Sequence, residues 1–195
     1  MNNGNAATAN GALNANGSNG SLGSSSASGA MSFNNSNGSL GERPDWSKYK
    51  YIYPPNARGQ EQLDIMLRME ANDRDPMAPE YIEQEILFMT KYWHVSRNRF
   101  PYEGAEQQFL IVAMEPVYRI EDMTPEMWLD LQQIWYKLMN EYQMSGGAFC
   151  MRFGDPSRSG ASLTRLHAHL IMPAEGQKVR PPVGGKKALK PGLHL

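Results

Sequence analysis

Apolar positions along the chain recur with periods that predict its secondary structure. From Gln60 to about Ala71 they fall at near-helical spacing, which predicts a first helix. A second helix is predicted to begin at Pro79, because proline suits a first helical turn. Ile82, Ile86 and Met89 would then share one face of that helix. We expect both helices to be packing elements.

A third helix is predicted after Thr124. Thr124-Pro125-Glu126 offers an N-cap, a first-turn proline and an early acid, and Gly146-Gly147 would end the helix. The apolar positions between these signals recur every three or four residues, so we expect the whole stripe to lie in the core. The stripe consists of Trp128, Leu131, Ile134, Trp135, Leu138 and Tyr142.

Four apolar runs are predicted as strands. They are Tyr92–Val95, Phe109–Met114, Ala148–Phe153 and Leu163–Met172. Strands joined by tight loops outnumber helical crossovers in the second half, which predicts an α+β domain with a mostly antiparallel sheet. Val179 and Val183 would add one edge strand.

The N-terminal segment differs in composition from the rest of the 195-residue chain. Residues 1–41 carry no charge, and Asn, Gly, Ser and Ala fill 34 of these 41 positions, so little can be buried. We expect residues 1–43 to form a disordered tail, either an inert extension or an Asn-rich interaction segment. Residues 44–91 are interpreted as an extended arm with helices, 92–175 as the main domain and 176–195 as a C-terminal extension.

Charge and cysteine content exclude several classes of protein. The net charge of −1 argues against binding extended nucleic acid through a large basic surface. Cys150 is the single cysteine, which excludes an intrachain disulfide framework and a multi-cysteine zinc site. No apolar stretch is long enough to span a membrane and no signal peptide is visible, so a cytoplasmic location is expected.

The candidate site lies in the last predicted strand and the loop before it. Side chains alternate along a strand, so Arg165, His167 and His169 would share one face. Three such basic groups repel one another unless an anion lies among them. Gly160 and Ser162, in the preceding loop, can offer an N–H group and a hydroxyl to the same anion. Phosphate is the natural ligand.

A histidine in this setting can act as a nucleophile. If a backbone carbonyl binds the Nδ1 hydrogen, Nε2 can attack phosphorus and form a covalent phospho- or nucleotidyl-histidine. A neighbouring protonated group would stabilise charge on the phosphate oxygens.

Two other interpretations of the histidine pair remain open. Alternating histidines can be a structural accident, or they can begin a metal site. His94 and His194 lie far off in sequence, and Arg165 would repel a cation, so neither a metal nor another cofactor is expected.

The motif Arg165-x-His167-x-His169, followed by Leu170-Ile171-Met172-Pro173, resembles the signature of the histidine triad (HIT) superfamily. That signature is His-x-His-x-His followed by apolar residues, often ending in Pro. Gly160-x-Ser162 lies where the family has its phosphate-contacting loop. Further back, the run from Asn98 to Gly104 and the strand that follows it are also similar to the family.

The resemblance implies a HIT-like fold and roles for particular residues. His167 would be the nucleophile, His169 would contact phosphate and Asn98 would reach the ribose. Arg165 stands in place of the first histidine and, with His169, would neutralise phosphate charge. Arg152 or Asp155 would take the place of the polar residue that the family has before its phosphate loop, and Arg152 is our candidate phosphate ligand.

The resemblance also implies an activity and partners. We expect a HIT-like nucleotide hydrolase or nucleotidyl transferase that acts on the α-phosphate of a nucleotide conjugate through a covalent histidine intermediate. The alternative is a nucleotide-binding module weakened in catalysis by Arg165. Members of the family are often homodimers, so a homodimer is the expected assembly.

Overall fold

A computed structural model describes residues 48–185 of the chain. The predicted disordered tail lies outside the described residues, as do the last ten residues of the predicted C-terminal extension. The boundaries between the four predicted segments stay a prediction.

One five-stranded sheet organises the described part of the chain. Its strands are β1 (Ile86–Met89), β2 (Trp93–Arg97), β3 (Ala105–Ala113), β4 (Ala148–Met151) and β5 (His167–Pro173). They lie in the order β1-β2-β3-β5-β4, and every neighbouring pair is antiparallel. The predicted α+β class with an antiparallel sheet is confirmed.

Three α-helices accompany the sheet: α1 (Gln60–Ala71), α2 (Pro125–Glu141) and the short α3 (Pro156–Ser159). The prediction for α1 is confirmed at both ends. At the start of α2 the Thr124 hydroxyl accepts a hydrogen bond from the Met127 N–H at 3.3 Å, which confirms the predicted N-cap.

The prediction for the α2 stripe was partly wrong. Trp128 and Trp135 remain 42% and 40% exposed, because each lies at the edge of the buried face, one position after a buried residue. That face consists of Met127, Leu131, Ile134 and Leu138. The helix also ends at Glu141, before the two glycines, and Gln143 just beyond it adopts a positive φ of 49°.

The helix predicted from Pro79 is wrong. Residues 76–81 form turns and a bend, and Ile86–Met89 instead forms β1, an edge strand paired with β2. The turn between them is closed by a 2.8 Å hydrogen bond from the Thr90 N–H to the Trp93 carbonyl. A short apolar run suits a strand as well as a helix, and here the partner strand decides between them.

The last predicted strand is shorter than expected. It begins at His167, because the residues before it pair outside the sheet: Leu163 forms a bridge with Ile52 of the N-terminal arm. The Leu166 N–H donates to the Val117 carbonyl at 2.7 Å. Val179 and Val183 lie in no strand, so the predicted additional edge strand is wrong.

The sheet separates the main core from the candidate site. Leu166, Ala168 and Leu170 pack into the core beneath α2, as their alternation predicted. His167 and His169 alternate with them and therefore lie on the opposite face of the sheet.

Candidate active site

A pocket on the face of the sheet opposite α2 brings together most of the predicted site residues. Asn98, Arg152, Ser162, His167 and His169 all line it, and we call it the histidine pocket. Its apolar wall comes from α1, the turn after it and β3, through Ile65, Met66, Pro76, Met77, Ile82 and Leu110.

His167 is held with one ring nitrogen free. Its Nδ1 lies 2.8 Å from the backbone carbonyl of Arg165, two residues earlier. A carbonyl can only accept, so Nδ1 carries the hydrogen and Nε2 keeps its lone pair. This is the tautomer that a nucleophilic imidazole requires.

The surroundings of His167 keep it neutral. Burial, assisted by the positive charge of Arg152, lowers the pKa of His167 from 6.5 to about 4. The residue is only 3% exposed. At neutral pH the imidazole therefore retains the lone pair on Nε2.

His169 lies between two hydrogen-bond donors. The amide nitrogen of Gln108 is 3.0 Å from its Nδ1, and Nη2 of Arg152 is 3.0 Å from its Nε2. The Gln108 amide oxygen accepts from the Tyr102 N–H at 2.7 Å, which sets the orientation of that amide. Burial and the neighbouring His167 and Arg152 lower the pKa of His169 well below 6.5, so the ring is neutral. A neutral imidazole accepts at one nitrogen only, so one of the two donors faces another N–H.

Arg152 follows β4 directly, and its guanidinium extends to His169. Its Nη1 donates to the Gly160 carbonyl at 2.8 Å, and its Nε is buried with no hydrogen-bond partner among the described residues. An anion in the pocket could accept from this guanidinium and from His169 together.

The structure does not bring Arg165 to the histidine pocket. Its side chain is 7% exposed, and its Nε donates to Asp75 Oδ2 at 2.6 Å. Its Nη1 donates to the carbonyls of Ala113 and Met114 at 3.1 and 2.7 Å. Asp75 and two backbone carbonyls thus bind the guanidinium of Arg165, and the residue is not among those that line the pocket.

Gly160 shapes the loop rather than lining the pocket. Its φ of 78° suits glycine, and an added Cβ would lie 2.9 Å from the Gly184 carbonyl oxygen. Its N–H already donates to the Pro156 carbonyl at 3.0 Å as α3 ends, so this N–H is not presented to a phosphate. The Gly160 carbonyl instead positions Arg152.

Of the two candidates for the polar residue before the phosphate loop, Arg152 and Asp155, the pocket contains Arg152. Asp155 caps α3 by accepting a hydrogen bond from the Ser157 N–H at 2.8 Å.

Asn98 and Ser162 line the pocket as predicted. The Asn98 side-chain oxygen accepts from the Phe100 N–H at 3.1 Å, whereas its Nδ2 is buried with no partner among residues 48–185. That amide can donate to a ligand oxygen. The backbone carbonyl of Ser162 accepts from the Tyr53 N–H at 2.7 Å, so the N-terminal arm holds the loop that carries the hydroxyl.

Two residues of this region were missed by sequence reasoning. Gln108 of β3 is paired with Ile171 and contacts the nearby His169, and its place in the alternation with Leu110 and Val112, which are paired with the two histidines, could have indicated this. Arg58 lines the pocket from just before α1, and no motif or spacing in the sequence signals it.

In the described range 48–185, no group of three or more His, Cys, Asp or Glu side chains is placed to hold a metal ion. No helix of that range is long and apolar enough to cross a bilayer.

Comparison with known proteins gives matches among solved structures only. No protein-family model matches the sequence, and no curated protein matches it. An HIT family hydrolase from Clostridium thermocellum matches with 14% identity, a TM-score of 0.43, and coverage of 51% of this chain and 87% of that chain. An HIT family hydrolase from Legionella pneumophila matches with 21% identity, a TM-score of 0.42, and coverage of 56% and 96%. A histidine triad nucleotide-binding protein from Candida albicans matches with 17% identity, a TM-score of 0.43, and coverage of 55% and 80%.

The chain is similar to histidine triad proteins.

Proposed function

We propose that the protein is a nucleotide hydrolase or nucleotidyl transferase in which His167 attacks the α-phosphate of a nucleotide conjugate. The observation that supports this most directly is the hydrogen bond from His167 Nδ1 to the Arg165 carbonyl at 2.8 Å. It leaves the Nε2 lone pair of a neutral imidazole directed to a pocket that also contains Arg152 and Ser162.

The reaction would proceed in two steps. His167 Nε2 forms a bond to phosphorus, and the bond from phosphorus to the leaving group breaks with its electron pair. Water or another acceptor then attacks phosphorus, the phosphorus–nitrogen bond returns its electron pair to Nε2, and one proton is released. Arg152 and His169 would bind the non-bridging oxygens, a contribution typically worth ~10²–10³-fold in rate. Ser162 would hold the same phosphate, and Asn98 would orient the ribose through its unpaired amide.

A binding module without turnover is the second candidate. It is favoured by the placement of Arg165, which is sequestered by Asp75 and supplies no proton to a leaving group. The expected homodimer and cytoplasmic location stay predictions.

The test uses a nucleotide whose leaving group departs without help. The p-nitrophenyl ester of AMP releases a coloured, weakly basic phenolate, so turnover depends on attack by the nucleophile. Intact mass spectrometry should show a nucleotidyl adduct on wild type, and none on His167→Asn. His94→Asn is a control outside the pocket. Binding of AMP with no adduct and no phenolate would favour the module.

A further inference from the structure

Cys150 lies beside the histidine pocket, on the same face of the sheet. In the register of β4 and β5 it is paired with His169, and paired residues of neighbouring strands direct their side chains to one face. The thiol is free, and the residue is partly exposed. It lines a surface depression together with Arg152 and Arg158, which we call the thiol cleft. A small oxidant can therefore reach the sulfur from solvent.

Arg152 separates the thiol cleft from the histidine pocket, because it lines both. Its two terminal nitrogens are engaged, Nη1 with the Gly160 carbonyl and Nη2 with His169. Its Nε is buried and has no partner among the described residues. Within residues 48–185, no carboxylate lies within ion-pair distance of Arg152. The guanidinium therefore has one unused donor and an uncompensated charge.

The hydroxyl of Tyr102 is a second unused donor. Tyr102 is 7% exposed, and its Oη is buried with no partner in the described range. Its ring lies 5.5 Å, centroid to centroid, from the ring of His169. Burial raises the pKa of this phenol, Arg152 and Arg58 oppose the rise, and Cys150 adds to it, so a charge on the sulfur is felt at the hydroxyl. A buried hydroxyl without a partner is costly, and its position calls for an acceptor.

The reduced thiol does not satisfy these two donors. Sulfur is a weak acceptor, and neither the Tyr102 hydroxyl nor Nε of Arg152 bonds to it. Oxygen is a stronger acceptor, and an oxidised cysteine carries one or two oxygens on its sulfur. Cysteines react with oxidants where they are partly exposed and close to positive charge. Arg152 and Arg158 provide that charge in the thiol cleft, whereas its acid, Asp155, is engaged as the cap of α3.

We propose that Cys150 is a site of oxidation by hydrogen peroxide, and that the oxygens added to its sulfur accept hydrogen bonds from Tyr102 and Arg152. The thiolate attacks one peroxide oxygen, a sulfur–oxygen bond forms, and the oxygen–oxygen bond breaks with its electron pair on the departing hydroxide. Sulfur is thereby oxidised to sulfenic acid, and the peroxide is reduced. A second peroxide converts the sulfenate to sulfinate and water, which supplies one oxygen for each donor. The donors bind the oxygen as it is transferred, so they favour the step itself.

Oxidation of Cys150 acts on the histidine pocket through Arg152. A sulfinate two residues away competes with phosphate for the guanidinium, and its negative charge repels the phosphate. The oxidised protein therefore binds phosphate more weakly than the reduced protein. This consequence rests on the proposed function, whereas the oxidation itself does not.

The first test traps the sulfenic acid with dimedone, a cyclic diketone that reacts with it. The chain has 13 methionines, which also take up oxygen, so the intact mass after peroxide alone does not report on Cys150. A dimedone adduct should form on wild type and be absent from Cys150→Ser. Tyr102→Phe, which removes only the hydroxyl, should slow trapping about tenfold, the effect of one hydrogen bond. Tyr81→Phe is the matched control, because Tyr81 also lies against an arginine, Arg74, but lines neither the pocket nor the cleft.

The second test mimics the oxidised side chain without peroxide. Cys150→Asp places two oxygens and a negative charge where the sulfinate would lie, and Cys150→Asn is the matched neutral variant. Calorimetric titration with inorganic phosphate should show binding about tenfold weaker for Cys150→Asp than for Cys150→Asn. Peroxide treatment of wild type should weaken phosphate binding similarly, and Cys150→Ser should keep its affinity after the same treatment.

A wild type that forms no dimedone adduct, or one trapped no faster than Tyr102→Phe, would overturn the proposal. Arg152→Gln, which removes the other donor, should also slow trapping and serves if Tyr102→Phe does not fold. Equal phosphate affinities of Cys150→Asp and Cys150→Asn would refute the effect on the histidine pocket.

Failure of this inference can be told apart from failure of the proposed function. If the p-nitrophenyl ester gives an adduct on His167 but dimedone traps nothing on wild type, only the role of Cys150 is refuted. If trapping depends on Tyr102 but no adduct forms on His167 and no phosphate binds, the oxidation site stands and the proposed function falls.

Discussion

Arg165 and Asp75 form an ion pair that is almost sealed from solvent, with 2.6 Å between Nε and Oδ2 and side chains each 7% exposed. The other Asp75 oxygen accepts from the Met77 N–H at 2.9 Å, and Met77 lines the histidine pocket. The pair therefore ties the start of β5 to the turn after α1 and positions one wall of the pocket.

Breaking this pair should destabilise the protein. Arg165→Met leaves a buried carboxylate without its cation, so the free energy of unfolding measured in urea should fall by about 3–5 kcal/mol. The double variant with Asp75→Asn should recover part of that loss. The exposed pair Lys50–Asp73 is the control, and Lys50→Met should leave the free energy of unfolding nearly unchanged, because solvent screens an exposed ion pair. Equal effects at the two pairs would contradict the structural role of Arg165.

Arg165→His should not increase turnover. The side chain at position 165 is directed to Asp75 and away from the pocket, so a histidine there would lose the ion pair without reaching the phosphate. Steady-state rates with the p-nitrophenyl ester, measured on samples shown to be folded, check this. A large gain in kcat would mean that residue 165 can face the substrate.

The value of kcat/KM should remain high in acidic solution. The pKa of His167 is lowered to about 4, so Nε2 stays unprotonated far below the usual imidazole range. The acid limb of kcat/KM, which reports groups of the free enzyme, should therefore fall near pH 4 instead of near 6.5. A half-maximal pH close to 6.5 would show that His167 titrates normally and is not desolvated as described.

The free energy of unfolding should also depend on pH between about pH 4 and 6.5. The folded-state pKa of His167 lies below its unfolded value of 6.5, so the unfolded chain binds more protons between about pH 4 and 6.5. The free energy of unfolding should therefore rise with pH across this window, by about 3 kcal/mol from His167. Denaturation at several pH values should show a shallower slope for His167→Asn. His94 and His169, whose pKa values are also lowered by burial, should supply the remaining slope.

His169 should carry its proton on Nε2 when phosphate is bound. Gln108 donates to Nδ1, which leaves Nε2–H to pair with a phosphate oxygen. Long-range ¹H–¹⁵N spectra distinguish the two ring nitrogens and should show this tautomer. Gln108→Leu should move the proton to Nδ1 and weaken phosphate binding about tenfold.

His94 provides the internal control for that spectrum. Its Nε2 lies 3.0 Å from the Met77 carbonyl, an acceptor that phosphate does not change. An unchanged His169 tautomer in Gln108→Leu would show that Gln108 does not position the ring.

Much of the fold could be predicted because it follows from patterns among residues that are close in sequence. The N-cap at Thr124, the extent of α1 and the alternation from Leu166 to Leu170 depend on neighbouring residues and on burial of one face. The same alternation placed His167 and His169 on one face. The prediction failed at Ile86–Met89 although Ile82, Ile86 and Met89 fall at helical spacing, because pairing with β2 makes this segment a strand.

The sequence by itself determined that two histidines alternate on one strand beside a small polar loop, since a strand's period of two requires no knowledge of the rest of the chain. Only the tertiary structure decided what surrounds them. Asp75, 90 positions from Arg165, draws that guanidinium away from the pocket. Arg58 enters the pocket from a segment far from the motif. Ion pairs and pocket walls join residues through space, and no local pattern encodes which distant charge will be near.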